Sequence, residues 1–358
     1  MEKMDGMTYA PTAKHVKPVV AEGEFSFSVI GLDHGHIFAM TNGLLEAGAT
    51  IQAVYDNDPG KVEEFIQRYP AVSRAVSVEE ILGDDSIAMV VSAIKPIDRA
   101  TLGVRVLESG KHFFCDKPGM LTHEEIDRVQ EAIQRSERRY FIYFGERIHV
   151  EGALYVQEMI KRGELGEIVS MTILAPHRLN KEARPSWFFE PKQNGGILID
   201  IGSHQIEQFL TLTNSKTANI LHSSVGNYAN SDKPYFNDFG QCNLVGANGA
   251  TCHFRVDWFT PDGLGAWGDG RVFIVGTKAT VEIRKYLDLA HSKEGDQVYL
   301  VDNTGEHLIH AHGTTGFPFF GEMIQDCLQG TEVAIGQEHT LEVMRLAIAA
   351  QHNAVALR

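Results

Sequence analysis

The chain has 358 residues, 43% of them apolar and 22% charged, a globular composition with more sequence than one hydrophobic core usually serves, so two domains are expected. Its formal net charge of −15 excludes a polyanionic partner such as nucleic acid, which needs a positive footprint. No apolar run is long enough to span a bilayer and residues 1–24 lack the apolar core of a secretory signal, so no membrane partner is expected and the protein is placed in the cytoplasm.

Residues 1–24 are mixed polar, with only Val16, Val19 and Val20 as a weak apolar cluster; they read as an arm, flexible or vector-derived, or as adding a short strand. From residue 25 the pattern becomes strand, tight turn, helix, strand, and repeats. Residues 25–30 are apolar and end β-branched, and Gly31 punctuates them. Ile37, Met40, Leu44 and Leu45 fall at helical spacing, and Gly48 is placed to end that helix. Residues 50–55 form a second strand that runs into Asp56, and 61–69 a helix with Pro59 near its start. Residues 87–93 are a continuous apolar run, as in a strand buried on both faces. A helix over 101–108, closed by Ser109 and Gly110, leads into a strand over 112–115. Such alternation predicts a doubly wound parallel sheet with right-handed crossovers, a Rossmann-type domain over residues 25–145.

A dinucleotide fingerprint places G-x-G-x-x-G between the first strand and helix, with an acid about 20 residues on. Here the turn holds Gly31, Asp33, His34, Gly35 and His36: only the first glycine is in register. By itself Gly31 equally suits any tight strand–helix turn. A carboxylate at Asp33 would repel a pyrophosphate unless it turns away, for instance to cap the helix. Asp56, at the end of the second strand, can accept both ribose hydroxyls and disfavours a 2′-phosphate, so NAD is expected in preference to NADP. Ala93 and Lys95, at the end of the buried run, complete the expected cofactor contacts with Asp116 and Lys117. A rival reading makes Asp33, His34 and His36 ligands of zinc or iron; no further ligand cluster stands at a matching spacing, and no metal is expected.

Two motifs carry chemistry. The strand over 112–115 runs into Asp116, Lys117 and Pro118, which puts Lys117 beyond a strand's carboxyl end, where open α/β sheets bind ligands. Pro118 pushes Lys117 toward an extended backbone and aims its ammonium. Further on, Asn194, Gly195 and Gly196 precede a helical segment in which Asp200 and His204 are spaced i, i+4 and share a face. A carboxylate beside an imidazole suits a general base near neutral pH, although such a pair also serves simply to link neighbouring elements.

After about Gly145 the alternation stops. A helix over 151–161, a turn from Gly163 to Gly166 and strand-like runs at 168–174, 218–225, 241–244, 250–258, 272–275, 280–283 and 297–301 follow, then a helix over 338–354. Residues 146–358 therefore read as a predominantly antiparallel open-faced sheet with helices on one face, a domain for substrate binding and oligomerisation. Arg147, His177, Arg178 and Trp187 are candidate substrate contacts, since polar groups and an aromatic plane suit a polyhydroxylated ring; Trp187 in the core and Arg178 in a surface ion pair are the plainer assignments. The four scattered cysteines, Cys115, Cys242, Cys252 and Cys327, are expected as reduced thiols.

Together the Rossmann order, the Asp116-Lys117-Pro118 step and the Gly-Gly-x-x-x-Asp-x-Gly-x-His run from Gly195 to His204 resemble the glucose–fructose oxidoreductase / inositol dehydrogenase (Gfo/Idh/MocA) family, over nearly all of the chain from residue 25. Two departures are the Asp in place of Glu before the lysine and the altered glycine turn. The resemblance implies that Lys117 and His204 lie beside a nicotinamide and that Asp200 binds a substrate hydroxyl. It implies NAD-dependent dehydrogenation of a sugar, cyclitol or sugar acid, with His204 taking the hydroxyl proton. It also implies a homodimer, or a tetramer of dimers, formed through the second-half sheet. Two alternatives stay open: a lyase or glycosidase that retains NAD for transient oxidation, and a non-catalytic NAD-responsive regulator.

Overall fold

Residues 6–14 and 17–357 are described by the computed structural model; Val16, of the weak N-terminal cluster, lies outside them. In chain order the first elements are β1 (Ser26–Ile30), α1 (His36–Glu46), β2 (Thr50–Tyr55), α2 (Pro59–Arg68), β3 (Ser73–Arg74), α3 (Val78–Gly83), β4 (Met89–Ser92), α4 (Pro96–Glu108), β5 (His112–Asp116), α5 (His123–Ser136) and β6 (Tyr140–Tyr143). The strands form one parallel sheet in the order β3-β2-β1-β4-β5-β6. All five residues of β1 are buried, as are those of β4, β5 and β6, because helices cover both faces. This is the doubly wound sheet expected from the βα alternation.

Helix starts follow local chemistry. Asp58 caps α2, its carboxylate accepting the Gly60 amide at 2.8 Å, with Pro59 in the first turn. Ser77 and Thr122 cap α3 and α5, each accepting the amide three residues on, from Glu80 and Glu125. Those glutamates reach back to the amides of Val76 and Leu121 at 2.6 Å, in the manner of a capping box. Neither α3 nor β3 and β6 was foreseen, and α4 starts at Pro96, five residues before the expected helix.

The following elements are α6 (Gly145–Ile148), α7 (Glu151–Lys161), β7 (Ile168–Pro176), α8 (Pro191–Asn194), α9 (Ile197–Asp200), α10 (Gly202–Thr213), β8 (Ala218–Gly226), β9 (Phe239–Gly246), β10 (Thr251–Asp257), β11 (Arg271–Gly276), β12 (Thr280–Arg284), β13 (Gln297–Asp302) and β14 (Gly305–His310), then α11 (Pro318–Gln329), α12 (Gln337–His352) and β15 (Val355–Ala356). The second sheet has the order β14-β13-β12-β11-β7-β10-β9-β8-β15; only β7 with β10 and β8 with β15 pair in parallel. It is thus mostly antiparallel, as expected. Gly240 lies against Ile197 and Leu198, and Gly202 against Phe254, so α9 and α10 pack closely on one face of this sheet. The single helix expected after Gly196 is broken at Ile201 into α9 and α10.

The chain divides into two compact units: Met7–Tyr143 with Phe317–Leu341, and Phe144–Gly316 with the chain from Glu342 on. The first unit therefore gains α11, whose Phe320 ring sits over Gly43 of α1. Among the described residues no helix is long and apolar enough to cross a membrane.

Gly103 shows how tightly the first unit is packed. A Cβ there would fall 2.4 Å from the Tyr140 ring and 2.8 Å from that of Phe113. Ala gains up to about 1 kcal/mol of helix propensity over Gly, but overpacking costs about 1–3 kcal/mol. Gly103→Ala is therefore expected to lower unfolding stability in a urea titration. Gly83→Ala, where nothing lies within 4 Å, is expected not to; equal stability of the two variants would contradict this packing.

Candidate active site

In the first unit the candidate residues gather at the carboxyl ends of the parallel strands. Gly31 leaves β1 with φ +87°, and a Cβ would fall 2.7 Å from Ile94, so the turn requires glycine on two counts. Ala93 is tied to the same turn, its amide donating to the Gly31 carbonyl at 3.1 Å. Gly35 is small for a different reason: its Cβ would meet the Met7 carbonyl oxygen at 2.3 Å, so the N-terminal arm packs on this turn.

Asp33, in place of the second glycine, does not cap α1; its charge is met by other groups at the cleft. It binds the Lys61 ammonium at 2.6 Å and accepts the Lys95 amide at 3.2 Å. Burial would lower the Lys61 pKa, but Asp33, Asp56 and Asp58 outweigh it and raise it. Asp56 accepts the Leu32 amide at 2.7 Å and the Asp58 amide at 2.8 Å, one on each oxygen. A carboxylate has about four lone-pair sites, which leaves capacity for hydroxyl donors. Gly31, Asp33, Asp56, Lys61, Lys95 and Arg105 line a cleft of about 610 Å³. Cations for a diphosphate and a carboxylate for a ribose at the end of a Rossmann sheet fit a dinucleotide.

His34 and His36 join Asp116 instead of Asp33. The His36 Nδ1 lies 2.8 Å and the His34 Nδ1 3.4 Å from the Asp116 carboxylate, which is 0% exposed. Arg99, on α4, donates to the same carboxylate at 3.1 Å and to the carbonyls of Ile94, Asp116, Lys117 and Pro118. Burial alone would raise the Asp116 carboxyl, but His36, Arg99 and His34 outweigh it and hold the carboxyl well below the usual range. The Lys117 amide donates to Asp116 at 2.8 Å, and the peptide to Pro118 is cis. Lys117 itself is buried, so its stem is fixed by the strand end and not left in water.

In the second unit Asp200 ends α9 and His204 lies in the first turn of α10, 8% and 3% exposed. The helix break makes the His204 amide donate to Ile201, three residues back. The glycine pair serves this corner. Gly195 closes α8 with φ +88°, and at Gly196 (φ +87°) a Cβ would fall 2.6 Å from Gln351, whose side chain accepts the Leu198 amide at 2.9 Å. Asn194 locks the turn, accepting the Gly196 amide at 2.8 Å.

The other four candidates divide. His177 follows β7 between Trp258 and Trp267, with ring centroids 5.4 and 4.5 Å away. Trp187 is half-buried in a short 3₁₀ turn, not in the core. Arg147 is buried in a two-pronged pair with Glu207, and Arg178 is buried with its guanidinium donating to the carbonyls of Pro261 and Leu264. Arg178 also lies 3.7 Å from the exposed Asp262 carboxylate, so the ion-pair assignment holds although the guanidinium itself is buried.

Three residues at these sites were not singled out from sequence. Arg99 interrupts the apolar face of α4 beside Ala100 and Gly103, a signal that was available. Glu146 and Lys285 are buried together, the Lys285 ammonium donating to Glu146 at 3.0 Å, and their separation of 139 residues gives no local pattern. Burial would raise the Glu146 carboxyl, but Lys285, His204 and His177 hold it well below the usual carboxylate range.

Comparison with known proteins matches residues 25–144 to the oxidoreductase family with an NAD-binding Rossmann fold, and residues 153–282 to the GFO/IDH/MocA C-terminal domain. The crystal structure of a candidate oxidoreductase from Erwinia carotovora atroseptica is 42% identical, with a TM-score of 0.91 over 94% of this chain and 100% of that one. Inositol 2-dehydrogenase from Salmonella paratyphi B is 25% identical over 146 residues, 40% of this chain and 42% of that protein. The 2,7-anhydro-N-acetylneuraminate hydratase of Escherichia coli is 24% identical over 267 residues, 72% of this chain and 68% of that protein. Oxidoreductases from Schizosaccharomyces pombe and Formosa agariphila are matched over 38% to 51% of their own length.

Proposed function

The chain belongs to the GFO/IDH/MocA family of NAD-binding oxidoreductases, and on that premise we propose that it oxidises a hydroxyl-bearing carbon of a sugar, cyclitol or sugar acid with NAD. Residues 25–145, joined by 317–341, serve as the NAD-binding domain and the rest of 146–358 as the substrate-binding and self-associating one. The observation that carries this reading is the burial of Asp200 and His204 together at a helix corner built around Gly195 and Gly196. A carboxylate and an imidazole withdrawn from water at a shaped corner suit a site for proton transfer.

NAD supplies the hydride acceptor when bound. His204 takes the hydroxyl proton, Asp200 accepts a hydrogen bond from the substrate, and the Lys117 ammonium stabilises negative charge developing on oxygen. Trp187 offers an aromatic plane to the ring, while His177, Arg147 and Arg178 hold the walls. Gly31, His34 and His36 form the turn near the diphosphate, with the Asp33 charge neutralised by Lys61. The hydratase relative favours a second reading, in which NAD is retained and oxidation is transient. Release of NADH on incubation with NAD and a panel of sugars, inositols and sugar acids separates the two. With a substrate so found, His204→Asn is expected to lower turnover by about 10²–10⁴-fold with a much smaller change in KM; turnover within a factor of a few would remove His204 as the base.

Asp56 is the proposed reason for NAD over NADP. Asp56→Ser removes charge repulsion at the 2′ position and is expected to narrow or reverse that preference in calorimetric titrations. Unchanged relative affinities would show that Asp56 does not meet the ribose.

Self-association is proposed through the uncovered face of the second sheet. Buried and half-exposed residues alternate along β9 and β11, and the outward set includes Val245, Phe273 and Val275 among polar residues. A broad face of this kind suits a closed symmetric dimer or a tetramer of dimers. Light scattering at micromolar concentration is expected to return a multiple of the chain mass, and a stable monomer would sink the proposal.

A further inference from the structure

His177 is flanked by acceptors on both ring nitrogens. Its Nδ1 lies 3.1 Å from the Ala175 carbonyl oxygen and its Nε2 3.5 Å from the Glu146 carboxylate. A neutral imidazole has a single N–H, so one nitrogen would turn a lone pair toward oxygen; the imidazolium, with two N–H groups, suits both neighbours.

Glu146 is itself rigidly held. One oxygen accepts the Lys285 ammonium and the other the Gln205 side-chain amide, each at 3.0 Å. Gln205 adjoins His204 in α10, and Phe144, two residues before Glu146, meets the His204 ring edge-on at 6.2 Å. Nearby, Arg147 is paired with Glu207, Glu207 also acts on Lys285, and Asp200 stands on the preceding helix. Lys285, His204 and His177 hold the Glu146 carboxyl low.

We propose that Glu146 is a positioning residue for His177, holding it as a standing imidazolium; this stands on the local geometry alone. A fixed positive charge at His177 also makes this corner more hospitable to a substrate that carries a carboxylate, such as a sugar acid.

Titration of the full chain with ¹⁵N-labelled histidine, followed by NMR and assigned with His177→Asn and His204→Asn, tests this directly. Against an ordinary histidine pKa of about 6.5, His177 is expected to have its titration midpoint at or above pH 8, on the order of 30-fold or more extra proton affinity. Glu146→Gln is expected to lower the apparent pKa of His177, by at least tenfold in proton affinity. Should Lys285, left without its partner, prevent folding, the double variant Glu146→Gln, Lys285→Met removes the buried pair together and is expected to show the same fall. Titration of His177 at or below 6.5 in the native chain, or a His177 imidazole unmoved by either variant, would overturn the inference. A shift in His177 with full turnover of His204→Asn would remove the base and leave Glu146 its role; an unmoved His177 with an inactive His204→Asn would do the reverse.

Discussion

A carboxylate taken out of water costs several kcal/mol unless opposite charge and hydrogen bonds are supplied on the spot, and Asp116 sits at 0% exposure at the end of the central strands. Arg99 meets that requirement. Its guanidinium neutralises Asp116 and also collects the carbonyls of Ile94, Lys117 and Pro118, so one buried cation ties the ends of β4 and β5 together. His34 and His36 reach the same carboxylate from the glycine turn, which brings the end of β1 into the network. The altered turn is therefore not a damaged fingerprint. His36 stands where the third glycine would, with a buried anion there to receive it and its neighbour His34, and Asp33, at the second, is neutralised by Lys61.

The same constraint organises the second unit. Glu146 and Lys285 are buried against each other, and so are Arg147 and Glu207, with the Glu207 side chain 0% exposed. Such pairs contribute little net stability over apolar packing, yet removing one member leaves a stranded charge. Their worth lies in fixing geometry at α6 and α10, the short helix that carries Glu146 and the helix that carries His204. In both units the chemistry-bearing side chains stand beside a buried ion pair.

Much of the fold was legible because period and punctuation are local properties. The apolar run that became β4 and the helical spacing of Ile37, Met40 and Leu44 needed no tertiary information. The strand β3 has two exposed residues and β14 is mostly exposed, so neither carries a burial pattern to read. Ser77 with Glu80 and Thr122 with Glu125 are capping signals carried by the sequence itself. The break at Ile201 was not readable, because it arises where Gly196 meets Gln351 and Gly202 meets Phe254, contacts far apart in sequence. At the candidate sites, residue type drew attention to Asp116, Lys117, Asp200 and His204, and Arg99 was readable as a break in the apolar face of α4, while Glu146 and Lys285 emerge only when distant segments are brought together.

The account turns on whether a turn rebuilt from Gly31, Asp33, His34 and His36 still receives a dinucleotide. Calorimetric titration of the full chain with NAD measures this without a substrate. Saturable, stoichiometric binding, weakened when Arg99 is replaced by Met and the Asp116 network loses its cation, is the result predicted. An absence of saturable heat up to millimolar NAD, with the chain folded by circular dichroism, would contradict it.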